Sequence, residues 1–395
     1  MPVNLVDIQK KLKAFSIQAK QRKTVLSQHQ QEITALVSKY ANRLDELNGL
    51  ISQRLASDAR LRCAQPAGEP LNMVVPKPPL PEMLTVLAAD GSQINPSRHH
   101  QVEFCVINVG LVIIKHGSGE TPQVITHSLL LDYDSVFLPG GGMITEGMVA
   151  LQRDLLEREA LAGYSDDLIM PAISMTDGPL ELYHEPGETG AFTRALDKYM
   201  FVLEDMKTRN LITLGYVDKP GSDLIVRLLE LTQQGISEPI QSNRQQRLYA
   251  GITDRHLLDN LLSEPGDRSA IFKIVSPTAR RFPDDLAPHF FFLNVGLPGT
   301  PHLARVEIPA WVADTSQNID HIQAALLKQA HILGTKPYPY ALHRAHEAAL
   351  VSISEHQHVE DMITAVFSEH GVTTEPGSNK QFLKDIPAQK SRYRK

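Results

Sequence analysis

The chain has 395 residues, enough for one large or two ordinary domains with a sizeable core. Hydrophobic residues make up 42%, charged residues 21%, and the formal net charge is -6, which excludes a generally basic nucleic-acid-coating protein but not a local basic groove. No apolar run reaches transmembrane length, no apolar segment follows Met1, and no Gly-x-x-x-x-Gly-Lys-[Ser/Thr] occurs, so no membrane span, secretory leader or P-loop motor is expected.

Residues 4–60 read as helix, with no Gly or Pro between Val3 and Asn48. From Ile33 the apolar positions Leu36/Val37, Tyr40, Leu44, Leu47, Ile51 and Leu55 follow at three-four spacing, a stripe suited to a helical hairpin or to a partner. The Lys-rich first half (Lys10, Lys11, Lys13, Lys20, Arg22, Lys23) reads as a solvated face. Gln65 to Pro81 holds six prolines and reads as an extended linker. The two cysteines, Cys63 and Cys105, share no metal-ligand spacing and point to a reducing, cytoplasmic setting.

Three strands are expected next, Leu84–Ala89, Val102–Lys115 and Val124–Leu138, with connections short enough for an antiparallel meander. A helix from about Glu146 to Ala162, a buried strand Leu168–Thr176, a helix from Thr193 to Arg209 and a strand Leu211–Val217 complete a β-β-β-α-β-α-β order. That order is the α/β ribonuclease-H-like topology, a mixed sheet of antiparallel meander plus parallel strands with flanking helices, here with an N-terminal helical extension. In such folds the first and fourth strands are neighbours. Further helices and strands follow, ending in a helix pair over 318–369 broken near Gly334. The expected division is a helical segment over 1–64, a linker over 65–82, a ribonuclease-H-like main domain over 83–370 and a basic, disordered tail over 371–395.

The chemistry centres on two strand ends. Leu84–Ala89 runs into Asp90-Gly91-Ser92, and Ala172–Thr176 runs into Asp177-Gly178. Each pair alone reads as a turn with glycine free to take φ > 0. Two such endings in one domain point instead to paired carboxylates around a divalent cation, and hard oxygen ligands suit Mg²⁺ or Mn²⁺. The intervening helix offers Glu157 and Glu159, about 200° apart around its axis, so only one can face the strand ends. Both flank the apolar side, and periodicity leaves the choice open. His346, three residues after His343, is a further candidate against the ordinary reading of a surface or core histidine; without a third soft ligand a zinc site is not expected.

The ordered set Ala89-Asp-Gly-Ser92, Thr176-Asp-Gly-Pro-Leu180, Gly215-Tyr-Val-Asp-Lys219, Thr253-Asp-Arg255, Pro265-Gly-Asp-Arg-Ser269, Arg305-Val-Glu-Ile-Pro309 and Tyr338-Pro-Tyr-x-Leu-x-x-Ala-His-Glu347 resembles the NurA family. These are nucleases that act in DNA-end processing beside the hexameric HerA ATPase. The resemblance implies Asp90, a helix glutamate, Asp177 and His346 as ligands of a divalent metal, usually manganese. Glu157 is preferred because Arg153-x-x-x-Glu157 is similar to the family's pattern. Pro179 stands where the family also uses Ser, without removing a ligand. The resemblance also implies 5′-to-3′ exonuclease and single-strand endonuclease activity, a homodimer, and a HerA-type partner. Lys219 and Arg344 are candidate DNA-backbone contacts, set against ordinary surface charge. Two other readings compete, a non-catalytic DNA-end adaptor of a ring ATPase and an RNA-directed ribonuclease-H-like enzyme.

Overall fold

The computed structural model describes residues 4–97, 102–138, 142–164, 168–182, 189–234 and 247–372, and the chain divides into two compact units. One, here the meander unit, comprises residues 82–177, 182–212 and 340–395; the other, the arm unit, comprises residues 1–81, 178–181 and 213–339. The tail expected over 371–395 lies outside the described residues from 373 onward.

The meander unit is built on the Leu84–Ile94 strand, whose first six residues are fully buried, as a strand covered on both faces requires. Val106–His116 pairs with it antiparallel along its whole length, from Leu84 opposite His116 to Ile94 opposite Val106. Gln123–Leu130 pairs antiparallel with Val106–His116 and completes the meander as a largely exposed edge strand. On the other side Ala172–Asp177 pairs parallel with the first strand, Thr85 opposite Ala172 through Ala89 opposite Thr176. The expected neighbourhood of first and fourth strands is therefore present.

Two helices cover the first strand, one on each face. Glu146–Gly163 starts at Thr145, whose hydroxyl accepts from the Met148 amide at 3.2 Å. Tyr340–Ala349 packs against the Leu84–Ile94 and Val106–His116 strands. Two glycines permit both approaches. A methyl group at Gly91 would meet the Arg153 and Glu157 side chains of the first helix, and one at Gly110 would meet the Ala345 carbonyl and Ala348 of the second. Gly110 is directly opposite Asp90 and Gly91 opposite Val109, so the two glycines belong to opposite faces of the pleat.

The arm unit opens with the helices Leu5–Tyr40 and Leu44–Ser57. The stripe Ile33, Val37, Tyr40, Leu47 and Ile51 is buried in one cluster with the Leu224–Leu231 helix and with Phe272, Phe290 and Phe292 of the sheet. The stripe is thus covered by its own unit, whereas Leu5, Ile8, Leu12 and Phe15 near the start of the arm are exposed. The strands Cys63–Pro66, Phe272–Val275, Pro288–Asn294 and Leu303–Pro309 pair antiparallel in that order, and Leu303–Pro309 continues onto residues 215–217. The proline-rich stretch joins this sheet, since Val74–Val75 pairs with Arg268–Ser269 and its prolines fall at strand ends or outside strands, where no amide is needed.

Asp254 fixes the Leu224–Leu231 helix from outside it. Its fully buried carboxylate accepts from the amides of Leu224, Ile225 and Val226 at 2.8, 2.8 and 3.0 Å, satisfying orphan donors of the first turn. Burial pushes this carboxyl up to about 6 despite those bonds. Among the described residues no helix is long and apolar enough to cross a membrane.

Candidate active site

Asp90 and Asp177 follow the last paired residues of neighbouring parallel strands, Ala89 and Thr176, so their backbones are about one strand spacing, roughly 4.8 Å, apart. Their local geometry differs. The Leu84–Ile94 strand runs straight through Asp90, and Gly91 has no positive φ, so the turn expected at Asp90-Gly91 is corrected to a mid-strand position. Ladder pairing out to Ile94 outweighs the local turn preference. Gly91 is required for a different reason, as its missing Cβ leaves the space that Glu157 enters. At Asp177 the expected turn is present, with Gly178 at φ 99° donating its amide to the Tyr216 carbonyl at 2.8 Å.

Glu157 is 3% exposed, on the helix face toward Gly91, and a methyl group there would lie 2.8 Å from its Oε1. Burial, followed by the nearby Asp154, pushes its carboxyl up to about 8, with the charge of Asp90 acting in the same direction and Arg158 and Arg153 opposing. Glu159 points elsewhere, paired with Lys198 of the Thr189–Thr208 helix at 2.7 Å. Of the two helix carboxylates, Glu157 is therefore the one beside Gly91, next to Asp90 in the strand.

His346 reaches Asp90 from the opposite face of the strand, its Nδ1 donating to Asp90 Oδ2 at 2.6 Å. The helix that carries it is anchored to the sheet by Asn108, whose amide donates to the Ala349 carbonyl at 2.8 Å, and by a hydrogen bond from the Ser92 hydroxyl to the same carbonyl. His346 is half exposed, so it is not a core histidine. Arg344 pairs with Glu347 on its own helix, and Lys219 belongs to the arm unit, where it is exposed.

The sequence pattern uses Arg153 only to choose between the two helix glutamates, and passes over Asp154. Arg153 reaches Asp154 at 2.9 Å and Glu157 at 3.4 Å, and its charge also acts on Asp90, so it is the cation among three carboxylates. The i,i+4 spacing to Glu157 carried that signal in the sequence. Among the described residues no group of three or more His, Cys, Asp and Glu side chains stands in metal-ligating geometry. The donor types still suit a hard divalent cation, with two carboxylates on neighbouring strands and a desolvated third whose ionisation a cation would favour.

A NurA domain model matches residues 84–351. The chain belongs to the NurA family. In fold it is similar to the crystal structure of the NurA nuclease from Sulfolobus solfataricus, with a TM-score of 0.53 at 11% identity, covering 93% of this chain and 98% of that one. The Ciona intestinalis endonuclease V bound to a 24mer DNA containing inosine and a ribo-adenosine is a looser match, TM-score 0.32 at 12% identity over 81% of this chain and 99% of that one, too low to carry an argument. No curated protein matches. This NurA-family chain has the mixed sheet expected, antiparallel strands plus a parallel pair between flanking helices.

The raised carboxyl of Glu157 has a consequence for stability. An acid held above its ordinary value of 4.5 costs folding free energy as pH rises from there to about 8, because the folded state alone keeps the proton. Removing the charge with Glu157→Gln is expected to stabilise the fold in chelator by on the order of 2–3 kcal/mol at pH 7, a rise of several degrees in Tm. The gain should shrink toward zero at pH 4.5, as thermal unfolding at both pH values will show; an equal Tm difference at both would mean that Glu157 is not held protonated.

Proposed function

We propose that this NurA-family chain is a divalent-metal-dependent DNA nuclease, using Mn²⁺ or Mg²⁺, and that Asp90, Glu157, Asp177 and His346 are its catalytic residues. The observation that carries the reading is that Asp90 and Asp177 each follow a paired residue of two neighbouring parallel strands, with the buried Glu157 packed against Gly91 and His346 hydrogen-bonded to Asp90. We assign the nuclease proper to residues 83–370, supported by the family match from residue 84, with the helical segment 1–64 and the proline-rich 65–82 contributing to the arm unit's core and sheet and the tail 371–395 following it.

A divalent cation bound by the carboxylates would supply Lewis-acid polarisation of a phosphoryl oxygen and a lowered pKa for the attacking water. Asp90 and Asp177 each follow a paired residue of two neighbouring parallel strands, so that strand backbone rather than a loop fixes their spacing. Glu157 supplies a third oxygen donor that burial keeps protonated until a cation arrives. His346 orients Asp90 through its Nδ1 bond, leaving its other ring nitrogen for the scissile phosphate or leaving group. Lys219 and Arg344 add positive charge for the DNA backbone.

We extend the proposal to 5′-to-3′ exonuclease and single-strand endonuclease activity in DNA-end processing, a cytoplasmic setting, a homodimeric assembly and feeding of duplex by a HerA-type hexameric ATPase, as the resemblance to the family suggests. The exposed apolar positions Leu5, Ile8, Leu12 and Phe15 of the arm, three or four residues apart, support a docking role for it. Light scattering at micromolar concentration is expected to give twice the chain mass, and a monomer would remove the homodimer.

The nuclease reading is tested with labelled single-stranded DNA. Cleavage should need Mn²⁺ or Mg²⁺, stop in chelator, and fall by about a hundredfold or more in Asp90→Ala and Asp177→Ala. Glu157→Gln should be far more damaging than Glu159→Gln, and His346→Ala should lower turnover with little change in Tm. Full Mn²⁺-dependent cleavage by Asp90→Ala or Asp177→Ala would overturn the site assignment.

A further inference from the structure

The arm unit contains a cavity of about 640 Å³ that the catalytic reading does not use. Five arginines line it, Arg60, Arg62, Arg227, Arg247 and Arg305, against the two carboxylates Asp58 and Asp223. Arg227 and Arg305 are 5% and 8% exposed, and burying guanidinium groups at a cavity wall is costly unless something compensates. Protein carboxylates compensate in part. Buried Glu230 pairs with Arg227 at 3.0 Å and with Arg247 at 2.8 Å, Asp223 with Arg247 at 2.7 Å, and Glu181 with Arg62 at 2.6 Å.

Of the two arginines buried at the wall, Arg305 is compensated least. It makes one ion pair, through a terminal nitrogen to Glu307 at 2.6 Å, and its buried Nε has no hydrogen-bond partner among the described residues. Its guanidinium lies over the Phe290 ring, 5.9 Å from the centroid, which holds the planar donor group in one orientation. Arg60 is exposed at the rim, and no ion pair of its side chain is found among the described residues. Lys219 stands in the turn between the lining residues Val217 and Pro220. A wall of oriented guanidinium forks with donors to spare matches a group that offers several anionic oxygens, and phosphate is that group in a nucleic acid.

We propose that this cavity binds a phosphate of a nucleic-acid strand, as a substrate-holding site separate from the catalytic carboxylates. The proposal rests on the nuclease reading for the identity of the strand, but its test needs no cleavage. Binding of fluorescently labelled single strands to the full-length protein is measured by anisotropy in chelator, with a 5′-phosphate and with a 5′-hydroxyl end. Arg60→Ala removes the rim cation, and Arg305→Lys keeps the charge while removing the fork.

Both variants are expected to weaken binding of at least one strand by about fivefold or more. A loss confined to the phosphorylated strand marks the terminal phosphate as the ligand, and a loss on both strands marks an internal one. Thermal unfolding checks that the variants are folded, and Arg60→Glu, at an exposed position, carries the test should Arg305→Lys not fold. Affinities within twofold of the wild type for both strands would overturn the proposal and leave the arginines as an ion-pair lattice. A wild type that binds but never cuts would instead overturn the nuclease reading alone.

Discussion

One close approach governs the meander unit. The Leu84–Ile94 strand carries a helix on each face, and both helices come so near that the sheet positions beneath them have no side chain, Gly91 under Glu146–Gly163 and Gly110 under Tyr340–Ala349. Asp90 sits between these contacts, opposite Gly110 and next to Gly91. The packing therefore delivers Glu157 to one side of Asp90 and His346 to the other without a loop positioning either. Interiors as dense as this give way discretely, so a single methyl group at either glycine would displace a functional side chain along with its helix.

The arm unit is organised by buried carboxylates that bind backbone. Asp254 takes three amides of the Leu224–Leu231 helix. Glu307 accepts from the amides of Leu180 and Glu181 at 2.8 and 3.2 Å, securing the segment that directly follows Asp177 in the chain. Gly215 lets that segment lie close, since a Cβ there would be 2.5 Å from the Gly178 carbonyl. Three of the motifs that mark the family, those at Gly215, Thr253-Asp254-Arg255 and Arg305-Val-Glu307, thus have a physical role in holding backbone, apart from any contact with substrate.

Much of this was legible in the sequence, and the failures are instructive. Strand Leu211–Val217 matches its expected bounds because its mostly apolar run is cleanly ended. Asp90-Gly91 and Asp177-Gly178 are identical as dipeptides, yet one continues a strand and the other turns, since only long-range pairing distinguishes them. Periodicity left Glu157 and Glu159 open, and what separates them is Lys198, a residue of another helix. The capping role of Asp254 was invisible for the same reason, because the helix it caps begins thirty residues earlier in the chain. The spacing from Ile33 marks an apolar stripe, and tertiary packing decides that the chain's own core covers it.

The central claim is that Asp90, Asp177 and Glu157 form one divalent-cation site, with Glu157 protonated until the ion binds. Calorimetric titration of Mn²⁺ into metal-free protein at pH 7, repeated in buffers of different ionisation enthalpy, tests it most directly. The account predicts one ion per chain with release of about one proton from the Glu157 carboxyl, whose value lies at about 8. Proton release should vanish in Glu157→Gln, and affinity should fall sharply in Asp90→Asn and Asp177→Asn. Equal Mn²⁺ affinity in all four proteins, or binding without proton release by the wild type, would contradict it.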